Sequence, residues 1–191
     1  MTESTIPSTR RGVPLWAQII VWAFLVGLLA LVAMGLSRRQ QGTVQPGHVI
    51  DNFTLPLYSG YEWNGKSEVQ FKDLRGKVVV INFWASWCKP CEEEAAALQQ
   101  AWEEYAPSGQ VIFLGVDYVD TEPEARVYLK KFGITYPNGP DLRTRISQYF
   151  RTKGVPETYF VDKEGVLRYV QVGPFTSIQQ IRDQIDPLLG E

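Results

Sequence analysis

The 191-residue chain reads as an α/β domain, a central mixed β-sheet flanked by helices with an N-terminal β-hairpin extension, preceded by one transmembrane helix. Three observations carry this. Residues 15–36 (LWAQIIVWAFLVGLLALVAMGL) form an uncharged apolar run broken only by Gln18. Farther on, continuous β-branched and aromatic runs, KVVVINFW at 77–84 and QVIFLGVD at 110–117, alternate with helix-forming stretches, as in a sheet covered on both faces. A hairpin pattern followed by a last helix then makes the sheet mixed rather than wholly parallel. Usage is globular, 45% apolar and 21% charged. A formal net charge of −2 leaves no basic excess for neutralising phosphates, which excludes a nucleic-acid binder.

Residues 1–14 read as an N-terminal segment ahead of the span. At about 1.5 Å per residue, a helix over 15–36 spans roughly 33 Å, enough for a hydrocarbon core of about 30 Å, so this segment is expected to anchor the chain in a lipid bilayer. A cleaved secretory signal is the rival reading; its apolar region is usually about 7 to 15 residues, shorter than this run, although Ala33 and Gly35 could form a cleavage site. Arg10 and Arg11 precede the span while Arg38 and Arg39 follow it, so the positive-inside bias nearly cancels and leaves sidedness open. Residues 37–49 are polar, contain Gly42, Pro46 and Gly47, and read as a flexible tether to a folded domain at 50–191.

Within that domain, 53–57 and 62–71 suggest a small extra hairpin or edge pair ahead of the first buried strand. Residues 90–105 (PCEEEAAALQQAWEEY) have Ala95, Leu98, Ala101, Trp102 and Tyr105 at helical spacing, with Pro107 and Gly109 as the stop. The second buried strand, 110–117, is followed by a helix over 121–132 with Thr121 as its cap, a proline in the first turn and Gly133 closing it. A short helix is expected at 142–150, a hairpin from 157–162 and 166–172 about the turn at 163–165, and an amphipathic helix over 177–189.

The chain has two cysteines, Cys88 and Cys91, in NFWASWCKPCEEE, where the first buried strand feeds its helix. Open α/β sheets place their chemistry at such carboxyl ends of strands. A purely structural disulfide between positions i and i+3 would close a tiny loop and remove little chain entropy. Zinc needs four ligands, and the lone histidine, His48, falls in the tether. The redox reading uses the setting itself. Helix formation from Lys89 places Cys88 at the N-cap, where free N–H groups and the positive end of the helix dipole favour a thiolate. Cys91, a turn later, can then resolve a mixed disulfide, with Pro90 stiffening the first turn.

NFWASWCKPCEEE, the upstream FKDLRGKVVVINFWASWC and the downstream KGVPETYFVDKEGVL together resemble the thioredoxin-like TlpA/ResA/DsbE (CcmG) family of membrane-anchored thiol-disulfide oxidoreductases. The resemblance covers roughly residues 50–190. It implies a thioredoxin fold, a single-pass protein of the cytoplasmic membrane with its domain on the extracytoplasmic, periplasmic side, and reduction of disulfides in exported proteins. The N-terminal segment 1–14 is cytoplasmic by this resemblance and not by its charges. In the cytochrome c maturation branch the client is the CxxCH haem-attachment motif of apocytochrome c. It further implies electrons from a membrane thiol carrier of DsbD or CcdA type, and a redox-active Cys88–Cys91 disulfide with no other cofactor and no metal.

Carried over by position, Cys88 and Cys91 match the catalytic pair and Glu94 the acidic residue after it, a nearby proton acceptor. Trp87 matches the family tryptophan beside the nucleophile, Pro156 the cis-proline facing the pair, Val155 the residue offering backbone bonds to a substrate strand, and Glu157 the acidic residue that follows. Blander readings stand beside these: Trp87 as a core aromatic, Glu157 as an exposed hairpin charge, and Glu92, Glu93 and Glu94 as complements to the helix dipole. Two departures matter. Asn82 stands where thioredoxin carries a buried, titratable aspartate, and Ala95–Ala97 replace a helix-kinking proline, which predicts a straighter helix. Alternatives are a general disulfide oxidant or isomerase of the same fold, and a copper-delivery protein, which would need a distant histidine. A thiol peroxidase is a further reading, but it would need a threonine where Ala85 stands.

Overall fold

The computed structural model describes residues 14–40 and 44–190, which fall into two units divided after Gly42. The first is helix α1, Leu15–Gln40. Its stretch Leu15–Gly35 has a mean hydropathy of 2.4 and is long and apolar enough to cross a membrane. The helix runs past the expected end of the span at 36 because Ser37, Arg38, Arg39 and Gln40 include no glycine or proline to stop it. Arg10, Arg11 and the rest of residues 1–13 lie outside the described residues.

The second unit is built on a five-stranded sheet of β3 (Val78–Trp84), β4 (Val111–Asp117), β5 (Asn138–Pro140), β6 (Glu157–Val161) and β7 (Leu167–Val172). Strand order is β5-β4-β3-β6-β7, with β3, β4 and β5 parallel and β6 and β7 antiparallel to their neighbours, the mixed sheet expected. A separate hairpin, β1 (Thr54–Pro56) with β2 (Glu68–Gln70), is the extension. Helices α2 (Lys89–Tyr105), α3 (Glu122–Lys131) and α5 (Ile178–Leu189) cover one face. That core joins Val80 and Phe160 of the sheet to Leu98 of α2, Leu129 of α3 and Ile185 of α5. On the other face Ile81, Phe83 and Leu114 pack under the β1–β2 extension and the short helix α4 (Arg145–Phe150). Strands β3 and β4 are buried at every position, which is why they read as unbroken apolar runs. Helix α2 runs through Ala95–Ala97 as a single helix, as their helix propensity predicts.

Two local features differ from expectation. The segment Gly47–Ile50 is docked rather than free: Gly47 N–H donates to the Leu167 carbonyl (2.7 Å), Leu167 N–H to the His48 carbonyl (2.8 Å) and Ile50 N–H to the Gly165 carbonyl (2.9 Å). The C-terminal end of the expected tether at 37–49 is therefore docked at the β6–β7 turn. Pro46 and Gly47 announce a turn, but composition does not distinguish a docked turn from a free one. Strand β5, Asn-Gly-Pro, has the composition of a turn, and it joins the sheet because the extension packs there. A Cβ at Gly139 would fall on the Pro56 carbonyl, so only glycine lets β1 approach β5 so closely.

Candidate active site

The site grows from the carboxyl end of β3. Tyr118 N–H donates to the Trp84 carbonyl (2.8 Å), ending the β3–β4 ladder, and the chain turns through Ala85–Trp87 into α2. Cys88 has extended backbone angles and serves as N-cap, its Sγ accepting the Cys91 N–H at 3.1 Å. Pro90 occupies the first turn, where it has no N–H to lose. The two cysteines form a disulfide, with 5.3 Å between their Cα atoms. Both are nearly covered, Cys88 at 3% exposure and Cys91 at 1%.

Across from the pair, the Val155–Pro156 peptide bond is cis, and the Val155 carbonyl oxygen lies 3.5 Å from Cys88 Sγ. A groove of about 290 Å³, lined by Pro90, Val155, Pro156, Glu157, Val172 and Pro174, starts at this contact. On the other flank Trp87 is 57% exposed, so it is no core aromatic; its indole N–H donates to the Val119 carbonyl (3.1 Å) and holds the ring beside Cys88. The structure thus brings Trp87, Cys88, Cys91, Val155 and Pro156 into one patch.

Glu94 sits a turn beyond Cys91 with 1% exposure, facing the sheet rather than solvent. Its Oε1 accepts from Asn82 Nδ2 (2.8 Å) and its Oε2 from Phe175 N–H (3.1 Å). Burial pushes its carboxyl up to about 7, against the pull of the Phe175 N–H and the Asn82 amide. Glu92 behaves differently: Lys131 and Lys89 each approach to 3.0 Å and hold it below the usual carboxylate range. Glu157 is neither exposed nor free. It is buried, accepting from Lys153 N–H (3.0 Å) and from the Tyr159 hydroxyl (2.7 Å), because its strand position turns it into the core beneath β6. It holds the 153–157 loop through Lys153 N–H and is one of the residues lining the groove.

Sequence reasoning missed a second carboxyl cluster on the Trp87 side. Asp117, at the end of β4, is buried; its Oδ2 accepts from the Tyr58 hydroxyl (2.6 Å) and its Oδ1 has no partner. Burial pushes it up to about 7, the Tyr58 bond opposing and the nearby Asp120 charge adding. Asp120 accepts Ser86 N–H (2.6 Å) and Thr121 N–H (2.7 Å), pinning the loop that delivers Cys88. Nothing in linear spacing links Tyr58 to Asp117; the β1–β2 extension brings them together.

Ala85, three residues before Cys88, is buried and offers no hydroxyl, while His48 sits at the β6–β7 turn, the end of the sheet away from the disulfide. A strand-to-helix CxxC pair beneath a cis-proline is the arrangement of a dithiol-disulfide centre, and the AhpC/TSA family profile matches residues 46–170. The chain belongs to the AhpC/TSA family. Within this thioredoxin-like family it is similar to the thiol:disulfide interchange protein DsbE of Allochromatium vinosum, at 35% identity over 90% of this chain and 92% of that protein. It is also similar to the thiol-disulfide oxidoreductase ResA of Geobacillus thermodenitrificans, at 28% identity over 89% of this chain and 98% of that protein. The crystal structure of a thiol:disulfide interchange protein of the thioredoxin family from Chlorobium tepidum shares the fold, with a TM-score of 0.63, 24% identity, and coverage of 76% of this chain and 98% of that one. This AhpC/TSA member is a thiol-disulfide oxidoreductase of ResA/DsbE type, working through its own cysteine pair.

Proposed function

We propose that the chain is held in the cytoplasmic membrane by residues 15–36, with residues 1–14 in the cytoplasm and its thioredoxin-like domain outside, and reduces disulfides in exported proteins, apocytochrome c among them. The observation that carries the reaction is Cys88 at the α2 N-cap, its sulfur facing the Cys91 N–H and edged by Val155 and Trp87. The Cys88 thiolate, favoured by the helix end, attacks one sulfur of the client disulfide and expels the other as a thiolate. Cys91 gives its proton to Glu94 and attacks Cys88 Sγ, releasing the second client thiol and closing the Cys88–Cys91 disulfide. Val155 offers backbone bonds to the client strand, Pro156 and Trp87 flank it, and Glu157 holds the 153–157 loop in place. A membrane thiol carrier of DsbD or CcdA type returns the two electrons. The CxxCH client rests on the likeness of the WCxPC and GVPET motifs to the cytochrome c maturation branch.

The test uses four readouts. Cys88→Ser abolishes reduction of a test disulfide; undiminished turnover overturns the reading. Cys91→Ser accumulates a mixed disulfide with the client, and mass spectrometry of that adduct identifies whether it carries a CxxCH motif. Equilibration with dithiothreitol or glutathione mixtures sets direction: a potential near that of DsbA, about −120 mV, marks an oxidant instead. Protease treatment of spheroplasts digests the domain if it faces outward.

A further inference from the structure

A carboxyl that accepts and releases a proton while buried is best hydrogen-bonded in both states, because an interior polar group without a partner has lost its bonds to water and gained none in return. The surroundings of Glu94 meet this condition in an uneven way. Oε2 faces a backbone N–H, that of Phe175, which can only donate. That oxygen must therefore accept in both states, and the proton, when present, has to sit on Oε1. Facing Oε1 is the Asn82 side chain, whose Nδ2 donates both to Glu94 (2.8 Å) and to Thr158 Oγ1 (2.9 Å). An amide carries a donor and an acceptor on the same carbon, and a hydroxyl can play either part.

We propose that Asn82, backed by Thr158, is a reversible adapter for Glu94: it presents Nδ2 to the carboxylate and, after a half-turn of the amide, Oδ1 to the carboxylic acid. In the first state Thr158 Oγ1 accepts from Nδ2, as the structure shows. In the second Thr158 donates its hydroxyl hydrogen to the nitrogen's former neighbour, Oδ1, which also receives the Glu94 Oε1–H. Both Glu94 oxygens and the Thr158 hydroxyl keep a partner through the cycle. Asn82 is thus a positioning residue that acts through Glu94, and an aspartate at this position would instead compete for the proton. The proposal rests on the reading of Glu94 as proton acceptor for Cys91: the proton leaves Cys91 Sγ, resides on Oε1, and goes on to the departing client thiolate. Besides the cysteines of α2, the titratable groups whose fields couple to Glu94 are Tyr128 of α3 and Tyr136 before β5. Burial pushes both phenols up, so they stay neutral through the relevant range. Thr158 of β6 and the Phe175 N–H bring no charge.

The full chain in detergent micelles, labelled at Glu and Asn side chains, is titrated by NMR. The Asn82 side-chain amide resonances are expected to move with the same midpoint as the Glu94 carboxyl carbon, and to lose that response in Glu94→Gln. Asn82 signals that ignore the Glu94 titration, or that still titrate in Glu94→Gln, overturn the adapter. Kinetics supply the second arm. Thr158→Val keeps the shape but removes the switchable hydroxyl, and it is expected to shift the acid-limb midpoint of the kcat/KM profile by about one pH unit, a tenfold change in rate on that limb. Thr158→Ser restores the wild-type midpoint, which a merely structural role would not require. An unshifted Thr158→Val profile counts against the adapter. If Glu94→Gln leaves the pH–rate profile of wild type intact, the catalytic reading of Glu94 fails while the NMR coupling still decides the adapter.

Discussion

Asp117 and Glu94 both hold protons more tightly in the folded protein than an exposed carboxyl does, each pushed up to about 7. Their effect on stability follows in sign. Below the unfolded values near 4 both states are protonated and nothing is lost; as pH rises toward 7 the unfolded chain ionises first, so this contribution to stability fades and is gone above 7. Chemical denaturation across pH 4–8 should therefore show falling stability, and Asp117→Asn should flatten the slope and raise stability at pH 8 by on the order of 2 kcal/mol. No gain at pH 8 would show Asp117 to be ionised at little cost. Glu157→Ala should lose about 1–3 kcal/mol in the same assay, since Lys153 N–H and the Tyr159 hydroxyl are left without a partner. At this scale one motif carries Trp87, Cys88 and Cys91, whereas only the family resemblance set Val155 and Pro156 across from them, since 67 residues separate Val155 from Cys88. The sequence misjudged the alternative for Glu157, since a charge beside a hairpin reads as solvated until strand register turns it inward. Asn82 was visible as a departure, but its partners Thr158 and Phe175 meet it only across the sheet.

At the scale of elements, the apolar runs at 77–84 and 110–117 announced β3 and β4, since full burial on both faces writes itself as uninterrupted hydrophobicity. Helix α2 was equally legible from its spacing. What escaped was β5, whose Asn-Gly-Pro is turn-like in composition and becomes a strand only by docking against β4 and β1. Helix α4 is short and depends on context. Phe150 at its end packs against Phe53, Phe83, Tyr149 and Tyr159, joining the extension to the sheet. Phe150→Ala should cost about 3–5 kcal/mol in urea unfolding. It should also loosen the 153–157 loop, seen as faster hydrogen exchange at Lys153, whose N–H is held by a Glu157 that shares Tyr159 with the same aromatic cluster. A loss under 1 kcal/mol would mean that the cluster repacks around the gap.

The molecule as a whole is an apolar helix followed by a domain whose two faces divide the labour: one carries the cysteine helix and Glu94, the other the extension and the aromatic cluster. Residues 15–36 should keep the full chain in the membrane pellet after alkaline carbonate extraction, whereas deleting them should release the domain; recovery of the full chain in the supernatant would rule out a spanning helix. The docked segment 47–50 adds something to this picture. It joins the sheet at the β6–β7 turn, whereas the cysteines sit at the opposite end, beside the start of β6. The segment enters the domain at the pole remote from the disulfide, and its own backbone leaves the surface around Cys88 free. Pull transmitted along it is taken by backbone bonds to Leu167 and Gly165, far from the groove where a client chain would lie.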